Sequence, residues 1–391
     1  MLSILGLLVS GLALTQRHLV SGSSSSCNFP AIYDFGDSNS DTGGRSAALT
    51  QSPPPYGETN LGHPPKRLSN GHVILDFISK TFRLPYVSAY LDSIGTNFRR
   101  GANFATGGSS ILPGPFSPFD LGIQISQFKQ FKSRTTELYK RMIEKCGSMS
   151  LPHPDDFSKA LYTFDIGQND LTFGFQNMTV DQIVAAIPGI LDVFDAAIQQ
   201  LYGEGARAFW IHNTGPIGCL PFMALPFKFR NGTLDQNGCV AYQNNVVKVF
   251  NQQLKERVHH QLRNNLSMAA FTYVDVYSAK LSLTSDAKNQ GFVDPLNYCC
   301  GTFVPTFVMC GLSAQVNGTT IHGAACGDPR DRISWDDIHF TDAANSWIAS
   351  CILNGSMSDP PVPICNASPK EAKERVRNIL LFLFFFLVIN Y

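Results

Sequence analysis

Neither sign of charge is in excess in this chain: across 391 residues, Lys plus Arg and Asp plus Glu number 30 each, for a formal net charge of zero. No basic stripe breaks that balance, so the electrostatic footprint of a nucleic-acid-binding surface is missing. No Cys-x-x-Cys pair occurs among the ten cysteines, and the histidines do not fall at zinc-finger spacing. An even number of cysteines without metal-type spacing reads as a set of disulfides formed in an oxidising compartment. No apolar run reaches the ~20 residues that a membrane-spanning helix needs. No internal repeat or long low-complexity segment interrupts residues 29–363. What remains is a chain that is 44% hydrophobic, enough for a full core in one large domain or two ordinary ones.

The two ends read differently from the middle. Leu2–Leu14 is largely apolar yet short, and small residues follow from Ser21 to Ser26, the pattern of an export signal. Residues 1–26 are therefore expected to be a signal peptide, 27–365 a single domain, and 366–391 a charged spacer with a short hydrophobic tail. Six Asn-x-Ser/Thr sequons, at Asn177, Asn231, Asn265, Asn317, Asn354 and Asn366, agree with secretion as a glycoprotein. The tail "ILLFLFFFLVI" follows small residues Ala367 and Ser368 after a polar spacer, which resembles a lipid-anchor attachment signal. The alternative is a disordered tail on a soluble secreted protein.

Between the ends, strand-like runs alternate with helix-like ones. "PAIYDF", "ALYTFDIG", "ARAFWIHNTG" and "AAFTYVDVY" are short and apolar, whereas "GHVILDFISKTF", "LGIQISQFKQFKSRTTELYKRMIEKCG", "TVDQIVAAIPGILDVFDAAIQQLYGEG" and "AYQNNVVKVFNQQLKERVHHQLRN" carry apolar residues at helical spacing. Strands joined by helices of this length imply crossovers and a parallel sheet covered on both faces, an α/β fold. Ligands in such sheets bind at the carboxyl ends of the strands. Asp37-Ser38 and Asn169-Asp170 fall just after such runs, Gly107-Gly108 follows the short run "ANFA", and the Pro-rich "QSPPPYGETNLGHPP" reads as a surface loop nearby.

The stretch "YDFGDSNSDTGG" admits four chemistries. Asp-Phe-Gly as a kinase metal turn fails, because only 33 residues precede Asp34 and no His-Arg-Asp loop exists. Asp41-Thr42-Gly43 as half of an aspartic-protease dyad fails for want of a second Asp-Thr/Ser-Gly. The calcium-loop spacing of Asp37, Asn39 and Asp41 fails because Thr42 stands where glycine must turn and Ala48 where glutamate must close the shell. Ser38 as a nucleophile survives, although without the Gly-x-Ser-x-Gly elbow of α/β-hydrolases. Gly-Asp-Ser is also ordinary turn chemistry, so the serine needs partners.

"SWDDIHFTDAAN" supplies them. A serine hydroxyl needs a base, and the base needs an orienting acceptor; Asp336 and His339 stand three apart, so a turn can bring carboxylate to imidazole. Asp337, two positions from His339, points away, and Thr341 or Asp342 caps the helix "DAANSWIASCIL". Developing oxyanions need donors. Gly107 and Gly108 let backbone N–H groups approach closely, and Asn169 offers a side-chain amide at a strand end. His212 reads as a structural residue at a strand end, and His259 and His260 as solvated helix positions.

In order, "FGDSNSDTGG", "GANFATGG", "DIGQND" and "DDIHFT" resemble the four signature blocks of the GDSL esterase/lipase family, the SGNH hydrolases, and span nearly the whole mature chain. "FWIHNTGPIGCLP" is similar to the plant branch, its acetylesterase-like and early-nodulin-like members in particular. The resemblance implies a three-layer α/β/α fold with a flavodoxin-like central parallel sheet. It implies Ser38 as nucleophile, His339 as general base and acid, Asp336 as its orienter, and Gly107 and Asn169 as oxyanion donors beside the Ser38 N–H; of the two glycines Gly107 is preferred. Asn39 replaces the motif's leucine, at a position with no expected chemical role, and Asp337 adds a charge between orienter and base.

The expected protein is thus a secreted monomeric serine esterase of the plant cell wall or apoplast, with neither cofactor nor metal. Its expected substrates are short acyl esters of sugars, glycosides or cell-wall polymers, with lipid esters second. An acyltransferase using the same acyl-enzyme, or a binding or storage glycoprotein with an idle site, stands as the alternative.

Overall fold

A computed structural model describes residues 29–58, 67–142, 150–304 and 306–369. The expected signal peptide, Cys27, Cys146 and most of the C-terminal tail lie outside the described residues. In chain order the elements are β1 (Ile32–Gly36), α1 (Gly44–Ala48), α2 (Ile74–Thr81), β2 (Gly101–Asn103), α3 (Leu121–Met142), β3 (Leu161–Asp165), α4 (Gln168–Asn177), α5 (Val180–Gly203) and β4 (Ala208–His212). There follow α6 (Pro221–Phe229), α7 (Ala241–Glu256), α8 (Arg263–Asn265), β5 (Ala270–Val274), α9 (Val276–Ser285), β6 (Ser313–Val316), β7 (Thr319–His322), α10 (Asp342–Leu353) and β8 (Ser358–Asp359).

The main sheet runs β2-β1-β3-β4-β5-β8. The first five strands are parallel, and the two-residue β8 pairs antiparallel at the edge. This is the flavodoxin-like order, in which the chain winds one way from β1 to β2 and the other way from β3 onward, leaving a crevice at the carboxyl ends of β1 and β3. Helices α3, α5 and α7 pack in series as one layer, and α2, α10 and α9 as the other. The expected three-layer α/β/α fold is therefore observed.

Burial on both faces explains why the strands are apolar without alternation. In β1, Tyr33 and Phe35 point to the α3 side: the Phe35 ring stacks between Phe104 and Phe164 at 5.3 and 5.1 Å, with Phe128 of α3 edge-on. Each such ring is fully buried, and truncating one to alanine typically costs about 3–5 kcal/mol.

Three local features depart from expectation. The helix expected over residues 241–264 stays helical but slips into a π-type turn over Arg257–Leu262, where Arg257 reaches Asp192 and Asp195 of α5 at 2.6 and 2.7 Å. The strand expected to run to Tyr277 stops at Val274, because the Asp275 carboxylate accepts the Ser278 N–H and starts α9. An antiparallel hairpin, β6-β7, stands apart from the main sheet.

Disulfides join Cys219 to Cys239, Cys299 to Cys326 and Cys300 to Cys310. Cys365 is disulfide-bonded as well, and Cys351 is free. The adjacent pair Cys299 and Cys300, tied to different partners, packs with Trp335 and Tyr56 as a small second core. That core backs one wall of the crevice.

Candidate active site

Gly36 ends β1, and the next residues fold tightly over the strand ends. Asp37 N–H donates to Asp165 O at 3.1 Å, while Asp37 O accepts from Ser40 and Asp41. The Asp37 carboxylate accepts both N–H and Nδ2–H of Asn39 at 2.9 Å. Asp41 Oδ1 takes the N–H groups of Gly43 and Gly44, and its Oδ2 those of Arg45 and Gly107. These carboxylates are therefore engaged in shaping the loop. Between them the loop presents Ser38, whose hydroxyl faces the crevice with no hydrogen-bond partner among the described residues; the residue is 7% exposed.

The segment before α10 makes a second tight turn. Trp335 N–H donates to His339 O at 2.7 Å, and Asp336 Oδ1 accepts the N–H groups of Ile338 and His339 at 2.8 and 2.6 Å. That turn sets the Asp336 carboxylate beside the imidazole, with His339 Nδ1 at 2.8 Å from Oδ2 and 3.0 Å from Oδ1. Asp337 makes no bond to the ring, as its position suggested. Thr341 caps α10 by accepting the Ala344 N–H; Asp342 instead takes the His72 N–H and Nδ1 at 2.7 and 2.6 Å.

Tyr56 completes this arrangement and was not foreseen. Its hydroxyl donates to Asp336 Oδ2 at 2.7 Å. The "surface" Pro-rich loop thus sends a buried phenol into the site, and nothing in its composition distinguished that tyrosine from a loop residue. Burial raises the phenol pKa, and the Asp336 charge adds to the rise, so Tyr56 acts here only as a donor.

The electrostatics of the pair follow from burial against partner charge. Burial alone would lower the His339 pKa, but the charge and hydrogen bond of Asp336, with Asp337 and Asp37 behind, outweigh it and leave the imidazole above its ordinary value. Burial would raise Asp336, yet His339, Tyr56 and the turn N–H groups hold it below the ordinary carboxylate range. Asp337 is pushed up to about 6 by burial and by the Asp336 charge.

The two adjacent glycines differ in what their N–H groups do. Gly107 lines the crevice, but its N–H is committed to Asp41 Oδ2 at 2.8 Å and points away from it. Gly108 lines it too, its N–H has no acceptor among the described residues, and the same holds for the Ser38 N–H. Gly108 sits at φ +86°, where an added Cβ would lie 2.7 Å from Phe116 O, so this turn requires glycine there. Asn169 follows Gly167 at the start of α4 and donates Nδ2 to Ser109 O at 2.8 Å and, more loosely, to Asp37 Oδ2 at 3.3 Å.

Beneath the loop lies a buried ionic cluster invisible to motif reading. Lys280 of α9 is 2% exposed, places Nζ 3.4 Å from Asn39 Oδ1, and lies over the Phe340 ring. Asn39 therefore has a role, bridging Lys280 to Asp37. Burial, with the Asp165 charge, lifts Asp37 to about 7, while the Lys280 charge acts in the opposite direction. His212 is structural here: it is buried, accepts from Trp210 Nε1 at 3.1 Å, and meets Asp165 through Nδ1 at 3.2 Å. His260 is exposed as expected, whereas His259 is partly covered and lies 3.1 Å from Asp359.

Ser38, Gly107, Gly108, Asn169, Asp336 and His339 all line one cavity of about 510 Å³, so residues 301 positions apart in the chain share a wall. Ser38 and His339 face this space without a direct hydrogen bond to each other.

Comparisons with known proteins show what the chain as a whole is similar to. A family model described as GDSL-like lipase/acylhydrolase matches residues 32–352. A GDSL esterase/lipase of Arabidopsis thaliana is 50% identical over 361 residues, covering 92% of this chain and 95% of that protein. The GDSL esterase/lipase ENOD8 of Medicago truncatula is 47% identical over 354 residues, covering 87% and 90%. A protein of Arabidopsis thaliana named alpha-L-fucosidase 3 is 46% identical over 348 residues, covering 84% and 91%.

Proposed function

This chain belongs to the GDSL-like lipase/acylhydrolase family and is a hydrolase of ester bonds, and on that premise we propose that it cleaves carboxylic esters through an acyl-enzyme on Ser38. The observation that carries this reading is the Asp336–His339 contact of 2.8 Å in the cavity that also holds the unbonded Ser38 hydroxyl. His339 Nε2 takes the Ser38 proton as Oγ attacks the ester carbonyl, and Asp336 holds the Nδ1–H tautomer and balances the imidazolium. The oxyanion falls to the N–H groups of Ser38 and Gly108 and to Asn169, with Gly108 taking the role expected of Gly107. One Asn169 hydrogen stays on Ser109 O, which fixes the amide; the other exchanges its long bond to Asp37 for the oxyanion. His339 then protonates the departing alcohol, and water activated by the same base releases the acid.

Removing one such donor typically costs about 10²–10³ in turnover. Asn169→Ala is expected to lose kcat in that range with KM little changed, measured on p-nitrophenyl acetate. A loss confined to KM would place the amide in substrate binding instead.

The pH dependence has a definite sign. The base must be neutral, and its pKa is held above the ordinary value, so activity rises with pH through an acid limb above that of a free imidazole. Asp337→Asn removes one of the charges that raise His339. The acid limb of kcat/KM is therefore expected to move to lower pH, and an upward or absent shift would contradict the assignment.

For substrates we propose short acyl esters of sugars or glycosides first and lipid esters second. Carbohydrate contact is supported by the polar face of α4, where Asn169, Thr172 and Gln176 all line the cavity. An ester panel from acetylated sugars to long-chain triacylglycerols, with products identified, tests this; release of free sugar from a fucoside with no ester cleaved would overturn it. Secretion is supported by the disulfides and by sequons, of which Asn177, Asn231, Asn265, Asn317 and Asn354 are exposed. No helix among the described residues is long and apolar enough to cross a membrane.

A further inference from the structure

We propose that Arg45 is a specificity residue that binds a carboxylate on the substrate, so that the preferred esters are acidic, such as acylated sugar acids. The proposal deepens the serine-esterase reading above and rests on it. Arg45 lines the cavity with Ser38 and is half-buried. Its guanidinium makes one long bond, Nη1 to Gly107 O at 3.4 Å, and has no carboxylate partner among the described residues. Asp41, the acid nearest in sequence, is closed to it by four backbone N–H groups. Asp337 belongs to the His339 wall and makes no ion pair with it.

Arg67, also close to this wall of the fold, shows the contrast: it is buried and grips Asp76 through two bonds of 2.6 Å. A guanidinium presents five donors in a planar fork that matches a carboxylate, and at Arg45 four of them have no acceptor among the described residues. The segment carrying Arg45 also lines the cavity with Thr50, Gln51 and Ser52, the last of them bonded to Ser46 at 3.4 Å. A hydroxylated ring with one carboxylate offers partners to the cation and to Thr50 and Gln51, in a cavity whose other walls include the apolar Phe116, Phe222, Met309 and Leu312. At about 510 Å³ the cavity falls in the range of ordinary small-ligand sites.

The test compares kcat/KM of the full chain for a matched pair, an O-acetyl methyl glucuronoside and the corresponding O-acetyl methyl glucoside. The wild type is expected to favour the acid by about tenfold or more, a charge-assisted hydrogen bond's usual contribution, and to lose part of that preference as salt rises. Arg45→Gln is expected to bring the ratio close to one, mainly through KM, and Arg45→Lys to keep part of it. No preference in the wild type, or an Arg45→Gln loss equal on both sugars and seated in kcat, overturns the proposal, the latter by placing the guanidinium on the oxyanion. If neither sugar is cleaved and Ser38 resists fluorophosphonate, the esterase reading itself has failed. Calorimetry with the free methyl glucuronoside then still decides: binding that Arg45→Gln abolishes supports the subsite, and no wild-type binding removes it.

Discussion

Ser38→Ala is expected to abolish ester hydrolysis, lowering kcat by about 10⁴–10⁶-fold, as loss of the nucleophile does in sites of this kind. The expectation rests on position. The hydroxyl faces the cavity with no hydrogen-bond partner among the described residues, while Asp37, Asn39 and Asp41 are tied down around it. Its removal therefore deletes chemistry without deleting a structural contact, and the thermal midpoint should stay near that of the wild type. Substrate binding should also persist, because the donors of Gly108 and Asn169 remain. The check is steady-state hydrolysis of p-nitrophenyl acetate by both proteins, with circular dichroism as the fold control. A Ser38→Ala protein that turns over normally removes the acyl-enzyme from the mechanism.

The second large effect is expected at the orienting carboxylate. Asp336→Asn keeps the shape but cannot balance the imidazolium, and its amide can present N–H₂ to Nδ1 and so select the wrong tautomer. In a comparable triad that change costs about 10⁴ in kcat. Asp336 also contributes most of the upward pull on His339, so the remaining activity should show an acid limb moved to lower pH. Unlike Ser38→Ala, this variant is expected to lose stability, because Tyr56 and the N–H groups of Ile338 and His339 all donate to the carboxylate. Tyr56→Phe serves as the comparison, since it removes one of those donors and leaves the charge. Equal activity of Asp336→Asn and wild type would mean that the imidazole is oriented by something else.

The sheet was legible because its parallel strands are buried on both faces and so read as plain apolar runs between helices. Asp336 and His339 were legible because a turn brings them together locally. The Gly107/Gly108 choice was not, since it depends on which N–H the Asp41 carboxylate claims, a contact across 66 residues. Tyr56 and Lys280 were hidden for the same reason: their roles come from partners 280 and 241 residues away. Cysteine pairing is likewise a matter of tertiary proximity. The π-type turn at Arg257 answers to two acids on α5, which no local helical pattern contains.

Fluorophosphonate treatment of the purified protein, followed by peptide mapping, bears most directly on the account. It predicts one stoichiometric adduct, on the peptide carrying Ser38, with ester hydrolysis lost in step. Full hydrolysis with that peptide unmodified, or an adduct on another residue that alone tracks the loss, would contradict it.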